Sequence, residues 1–228
     1  MLRAIIFDFD GVIVDSENLH LRAMQQALAE EGVTLTDDAY YATYLGLDDK
    51  NCFRAVLNDH GKVMDNEGIL EIVDRKTAYY DRWKDEVPII PGAPEFVRTA
   101  AERYPLAVGS GAFRHEIEYA LDRAGIRDAI RVIVSADDIE HSKLAPDCYL
   151  TALERLNDTL PAGASPLQAS ECVVIEDAIH GITAAKAAGM RCVAVTSTYP
   201  AERLAEADRV VPGLAALDIE RLGRAFVN

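Results

Sequence analysis

Four short polar segments of this sequence could do chemistry, and three of them directly follow an apolar run. Asp8-Phe9-Asp10-Gly11 comes after Ala4-Ile5-Ile6-Phe7. Two carboxylates one residue apart, just beyond a buried strand, repel each other unless a cation sits between them. Gly11 lets the chain turn sharply there. Gly109-Ser110-Gly111 comes after Leu106-Ala107-Val108 and leads into a helical pattern, so a hydroxyl and flexible backbone stand where an anion is well received. Glu176-Asp177 leaves the run Cys172-Val173-Val174-Ile175 and opens another helical pattern. Lys143 lies in a loop-like stretch some way after Val132-Ile133-Val134. If these converge, Asp8, Asp10, Glu176 and Asp177 bring four negative charges and Lys143 one positive charge. That balance calls for a hard divalent cation with oxygen ligands, and Mg²⁺ fits. With Mg²⁺ and Lys143 in place, a phosphoryl group could approach Asp8, since an aspartate carboxylate is a competent nucleophile for phosphoryl transfer.

The elements that must position these residues are legible as well. Continuous apolar runs, with a further one at Cys192-Val193-Ala194-Val195, suit parallel strands buried on both faces. Helical spacing fills residues 113–124 and 178–188 between them. Strands alternating with helices predict an α/β fold with a doubly wound, Rossmann-like parallel sheet. From Ser16 to Glu86 there is no strand pattern. Instead, three apolar helical faces occur, at Leu19, Ala23, Ala27 and Leu28, at Phe53, Val56 and Leu57, and at Ile69, Ile72, Val73 and Tyr80. That stretch is too long for a crossover, so an inserted helical cap is predicted over 16–87, with the core formed by 1–15 and 88–228. Pro88 and Pro91-Gly92 mark the return to the core.

Composition narrows the partners. Among 228 residues, 38 Asp+Glu face 23 Lys+Arg, a net charge of −15. Nucleic-acid and anionic-membrane binding use basic surfaces, so neither is expected. Asp8 interrupts the first apolar run, and no later stretch approaches the length of a membrane span. Cys52, Cys148, Cys172 and Cys192 are scattered without CxxC spacing, which points to reduced thiols, a cytoplasmic protein and no zinc. Oligomeric state stays open.

The Asp8-Phe9-Asp10-Gly11 segment, together with the run from Val173 through Glu176-Asp177-Ala178-Ile179-His180-Gly181 to Met190, resembles the haloacid dehalogenase-like (HAD) superfamily. Within it, the chain is similar over essentially its whole length to the β-phosphoglucomutase/phosphatase-like branch with a small helical cap. The resemblance implies Asp8 as nucleophile, forming an aspartyl-phosphate, and Asp10 as general acid and then base. It implies Mg²⁺ held by Asp8, the carbonyl of Asp10 and Asp177, with Glu176 nearby or joined through water. Ser110, the backbone at Gly111, and Lys143 would neutralise the transferred oxygens. In one respect the chain departs from the pattern: Leu144 stands where the family usually has proline after the motif lysine.

Other residues have plainer readings. His20 lies one helical turn after Ser16. The resemblance points it toward Asp10 at the hinge, and a partly exposed cap histidine is the alternative. Lys76, Arg75 and Lys50 are candidates for substrate contact, but charged residues on amphipathic helices mostly face water, which is the expectation for each. Arg114 is read the same way, and Trp83 with its neighbouring tyrosines as packing between cap helices. Gly181, Ala184, Ala185 and Ala188 share one helical face and are read as close packing on the sheet.

Asp10 argues against a dehalogenase or a phosphonate hydrolase, which the family resemblance associates with loss of the second aspartate. Sugar phosphomutases of this branch carry an arginine shortly after a cap glycine. Here that stretch reads Gly46-Leu47-Asp48-Asp49-Lys50, with acids that would repel a second phosphate. Residues 16–87 hold 15 acids and 8 bases, a charge of −7. The expected activity is therefore a Mg²⁺-dependent phosphatase with water as acceptor, acting on a small-molecule phosphate ester such as a sugar phosphate or a phosphoglycolate-like compound. A sugar phosphomutase of the β-phosphoglucomutase type is the alternative, and a non-catalytic phospho-accepting regulatory or binding protein a more distant one.

Overall fold

Short buried apolar runs with no polar interruption can pair only inside a sheet covered on both faces. The computed structural model, which describes residues 1–225, shows such a sheet. Its six parallel strands are β1 (Ala4–Phe7), β2 (Leu106–Gly109), β3 (Val132–Val134), β4 (Cys172–Glu176), β5 (Arg191–Val195) and β6 (Arg209–Val211), in the order β3-β2-β1-β4-β5-β6. The doubly wound α/β class is as expected, and β1 to β5 fall on the five runs read from the sequence. The sixth strand was not foreseen. Arg209 and Val210 are only half-buried at the sheet edge, so β6 carries no continuous apolar signal.

The strand order reverses at β1. Chain connections run outward to β2 and β3 on one side, and to β4, β5 and β6 on the other. Ligands of such sheets bind beyond the carboxyl ends of strands at this reversal. Phe7 pairs with Val108 on one side and Ile175 on the other, so Asp8, the segment from Gly109 and the Glu176-Asp177 pair leave neighbouring strands at nearly the same level.

The chain divides into two units, Ser16–Pro88 on one hand, and Met1–Asp15 with the chain from Ile89 onward on the other. The first contains α1 (Glu17–Glu30), α2 (Asp37–Ala39), a π-helical turn Tyr40–Tyr44, α3 (Asp49–Asp59) and α4 (Asn66–Trp83). Asp48 and Asp65 cap α3 and α4, accepting from the N–H groups of Asn51 at 3.0 Å and Gly68 at 2.9 Å. Leu28, Phe53, Val56, Leu57, Ile69 and Ile72, from the three apolar faces read from the sequence, form its core together with Leu21 and Met24, which lay outside those faces. Trp83 stacks on Tyr79 and lies under the Arg22 guanidinium, as packing between α1 and α4.

The second unit adds α5 (Ala93–Ala101), α6 (Arg114–Arg123), α7 (Asp147–Asp158), α8 (Ile179–Ala187) and α9 (Ile219–Ala225). All four cysteines are buried and unbridged. No helix among the described residues is long and apolar enough to cross a membrane.

Arg114, at the start of α6, has a structural task. Its guanidinium donates to the Ile133 carbonyl at 3.0 Å and to Asp138 Oδ2 at 2.6 Å, while Arg155 of α7 pairs with Asp138 Oδ1 at 2.9 Å. Ser135 completes the cage, giving its N–H at 2.9 Å and its hydroxyl at 2.7 Å to Asp138. The Ala136 N–H bonds the Ala112 carbonyl at 2.9 Å, tying the loop that holds Ser110 to the same region. Burial pushes the Asp138 carboxyl up, but the Ser135 hydrogen bonds and then Arg155 and Arg114 outweigh it and hold the group well below the usual carboxylate range. A depressed carboxyl adds stability above its unfolded pKa of about 4 and loses it as pH falls through the lower folded value. Asp138→Asn is thus expected to destabilise by about 1–3 kcal/mol at pH 7. The gap between the two melting temperatures should close as pH falls below about 4, and a gap independent of pH would contradict the assignment.

Candidate active site

Asp8 is the first residue beyond β1, and its N–H still bonds the Ile175 carbonyl of β4 at 2.8 Å. Its Oδ1 accepts the Lys143 ammonium at 2.6 Å and the Phe9 N–H at 2.7 Å. Lys143 Nζ also reaches Glu176 Oε1 at 2.7 Å. One oxygen from each of Asp8, Glu176 and Asp177 lies within 4.8 Å of the other two, and all three residues are buried. Four of the residues singled out in the sequence therefore meet, and they come from segments far apart in the chain.

Two glycines make room for the acids. Gly11 has φ +70°, in the left-handed region, and a Cβ there would stand 1.8 Å from Asp177 Oδ2. Gly181 would place a Cβ 1.6 Å from Glu176 Oε1. This corrects the reading of Gly181 as packing on the sheet: the space beside α8 is filled by the Glu176 carboxylate. Ala184 and Ala185 are buried as expected.

Glu176 is saturated. Its Oε1 accepts from Lys143 and from the Tyr149 hydroxyl at 2.6 Å, and its Oε2 accepts the N–H groups of Asp177 and Ala178, each at 2.9 Å. Asp177 Oδ2 accepts the Thr198 hydroxyl. Neither Tyr149 nor Thr198 was found from the sequence. Tyr149 carried one usable signal, a polar-tipped aromatic on the inner face of α7 shortly after Lys143. Thr198 lies in a polar loop after β5 and carried none.

Three buried carboxyl groups lie together, and the one ammonium among them bridges Asp8 and Glu176. Burial and the Glu176 charge push the Asp8 carboxyl well above its ordinary value, despite Lys143. Burial and Glu176 likewise raise Asp177 to about 8, despite its hydrogen bond from Thr198. Glu176 itself is held low, because Lys143 and its other donors outweigh its burial. Burial lowers the Lys143 pKa, but Asp8 and Glu176 overcome that and keep it charged. An arrangement of this kind fits a divalent cation with oxygen ligands beside Asp8 and Asp177, whose charge would favour their ionised forms.

Asp10 is half-buried and lies outside the three-carboxylate cluster, yet close enough for its charge to raise both Asp8 and Asp177. Ser110 is buried, donates its N–H to the Val134 carbonyl at 3.0 Å, and accepts the Ala112 N–H on its hydroxyl at 3.0 Å. Gly111 is exposed, and nothing lies within 4 Å of where its Cβ would be. Leu144 adopts φ +99°, and the Ala145 N–H bonds the Ser142 carbonyl at 3.2 Å, closing a tight turn around Lys143. Proline is locked near φ −65° and could not take this conformation. Leucine can, at a cost of about 1–2 kcal/mol.

The helical unit corrects two expectations. Lys76 does not face water: it is buried, with its ammonium 2.8 Å from both Asp49 Oδ2 and His20 Nδ1. A lysine one turn beyond Ile72 lies on the inner face of α4, and Asp49 balances its charge. Asp49 is accordingly not a bare repelling acid, and Asp48 serves as the α3 cap. His20 stacks on Tyr80 with centroids 4.5 Å apart. An ammonium has only donors, so His20 Nδ1 accepts from Lys76. Arg75 pairs with Glu30 and Glu31, and Lys50 is exposed.

The profile described as haloacid dehalogenase-like hydrolase matches residues 5–195. This chain belongs to that family. It is 30% identical to validoxylamine A 7'-phosphate phosphatase of Streptomyces hygroscopicus subsp. limoneus, over 98% of this chain and 99% of that protein. It is 31% identical to fructose-1-phosphate phosphatase YqaB of Escherichia coli (strain K12), over 84% of this chain and 95% of that one. Among solved structures, β-phosphoglucomutase (pgmB) from Clostridium difficile superposes with a TM-score of 0.85 at 24% identity, covering 99% of this chain and 97% of that chain. That last likeness is one of fold. In this haloacid dehalogenase-like chain, the clustered carboxyl groups and Lys143 lie where the sheet order reverses.

Proposed function

We propose that this haloacid dehalogenase-like hydrolase is a Mg²⁺-dependent phosphatase that transfers phosphate from a small sugar phosphate, or a phosphoglycolate-like ester, to water. The enzyme class, a phosphoric monoester hydrolase, rests on the family and on phosphatase relatives that align over most of this chain. The observation that carries the mechanism is the buried Asp8 carboxylate, 2.6 Å from the Lys143 ammonium and beside Glu176 and Asp177.

In the proposed sequence, an Asp8 oxygen attacks phosphorus while the ester oxygen leaves, and Asp10 gives that oxygen a proton. Asp10 then takes a proton from water as the water oxygen attacks the aspartyl-phosphate, releasing inorganic phosphate and restoring Asp8. Lys143, the Ser110 hydroxyl and the backbone at Gly111 receive the negative charge spread over the transferred oxygens. Asp8, the Asp10 carbonyl and Asp177 would hold Mg²⁺, whose charge lets an anionic substrate approach three carboxylates. With its four donors, Glu176 serves chiefly to seat Lys143.

Phosphatase rather than mutase is favoured by the helical unit, where buried Lys76 is already balanced by Asp49 and acids occupy the stretch in which the mutases have arginine. The test is direct. Turnover of p-nitrophenyl phosphate and a panel of sugar phosphates should vanish on chelation and return with Mg²⁺. Release of inorganic phosphate should account for all substrate consumed. Conversion of β-glucose 1-phosphate to glucose 6-phosphate in the presence of the bisphosphate would select the mutase instead.

A further inference from the structure

Tyr149 is the bulkiest of the fully buried side chains, and no step proposed above uses it. It lies on the first turn of α7, with its ring against Gly109, where an added Cβ would sit 3.3 Å from the ring carbons. Packing therefore sets the ring, and the ring sets the hydroxyl. That hydroxyl donates to Glu176 Oε1 at 2.6 Å, the oxygen that also accepts Lys143 Nζ at 2.7 Å. Lys143 Nζ stands 5.4 Å from the centroid of the same ring.

The rest of Glu176 is held by backbone. Its Oε2 takes the Asp177 and Ala178 N–H groups, so the carboxylate has two donors on each oxygen and little freedom to rotate. Lys143 is anchored differently at its two ends. Its backbone belongs to the exposed turn with Leu144 at φ +99°, whereas its ammonium is located by Asp8 Oδ1 and Glu176 Oε1. The position of the charge is thus decided at the tip of the side chain, and one of the two oxygens that decide it is itself placed by Tyr149.

We propose that Tyr149 is a positioning residue for phosphoryl transfer: by fixing Glu176 Oε1 it sets where the Lys143 ammonium stands relative to Asp8. The proposal rests on the phosphatase reading above. A residue that only packs would act through its ring and be indifferent to loss of the hydroxyl oxygen.

Tyr149→Phe keeps the ring and removes that oxygen. With p-nitrophenyl phosphate at saturating Mg²⁺, kcat is expected to fall about 10- to 100-fold, the scale of a displacement of about 1 Å at a reacting centre, with KM within about twofold. In a Glu176→Ala background, which removes the acceptor oxygen, the same change should cost nothing further, because Tyr149 acts through Glu176. A readout without turnover is the fluorine NMR spectrum of the chain with Mg²⁺ and trifluoroberyllate, a phosphoryl mimic on a carboxylate. The resonance of the fluorine facing Lys143 should move in Tyr149→Phe. Wild-type kcat, a change confined to KM, an equal loss in both backgrounds, or an unmoved spectrum would each overturn the proposal. So would a Tyr149→Phe chain that fails to fold, since the packing ring is retained. A wild-type chain without phosphatase activity would instead refute the phosphatase reading, and the fluorine spectrum would still judge Tyr149.

Discussion

Asp8→Asn is expected to lower kcat by about 10⁴-fold or more while leaving the fold intact. The amide keeps the shape of the carboxylate, but its oxygen is a poor nucleophile toward phosphorus. Neither of the other clustered acids can take over: Glu176 is occupied by four donors, and Asp177 is bound to Thr198. Stability should respond in the opposite sense to activity. Asp8 is buried beside two other carboxylates, and its carboxyl is pushed well above the usual range by burial and by Glu176. A neutral isostere relieves that repulsion, and Lys143 retains Glu176 as its partner. In metal-free buffer at neutral pH, the variant should therefore melt at or above the wild-type temperature. Turnover of p-nitrophenyl phosphate within tenfold of wild type would sink the assignment of Asp8 as nucleophile.

Gly11→Ala carries the second large effect, and it separates two costs. The first is conformational: φ +70° disfavours any side chain by about 1–2 kcal/mol. The second is a collision, since the new Cβ would lie 1.8 Å from Asp177 Oδ2 and 2.4 Å from its Cγ. Asp177 must move, giving up its hydrogen bond with Thr198 and its place beside Asp8. Mg²⁺ affinity measured by calorimetry should fall about 10- to 100-fold, as when a ligand's supporting shell is altered, and kcat should fall with it. Gly61 provides the comparison, because it has the same φ of +70° with nothing within 4 Å of its Cβ position. Gly61→Ala should lose only the conformational share of that stability and keep its metal affinity. Equal effects of the two substitutions on Mg²⁺ binding would show that the collision with Asp177 is unimportant.

The legible part of this site was its acids and its lysine. Asp8, Glu176 and Asp177 stand directly after runs that can only be buried parallel strands, and strand ends near the reversal of the sheet order lie side by side. Support for those groups was much less legible. Gly181 looked like one more small residue on a packed helical face, and only the path of the Glu176 side chain shows what its missing Cβ accommodates. Lys76 followed the amphipathic pattern of solvated lysines, yet it lies inside, because Asp49 and His20 arrive from two other helices to receive it. The edge strand β6 escaped notice because a half-exposed strand of three residues leaves no continuous apolar run.

The amino-acid sequence by itself determined the fold class and which charged residue types follow the apolar runs. Those depend on local periodicity and on residue types at strand ends, which survive without coordinates. Tertiary structure alone decided how the charges are balanced: which acid holds Lys143, which acids are left short of positive charge, and which hydroxyls brace them. Coulombic and hydrogen-bond terms vary over a few ångströms, and the partners concerned, Asp8, Lys143 with Tyr149, Glu176 and Thr198, come from four separate segments of the chain. No local pattern encodes distances between such segments. Folding the sheet sets them.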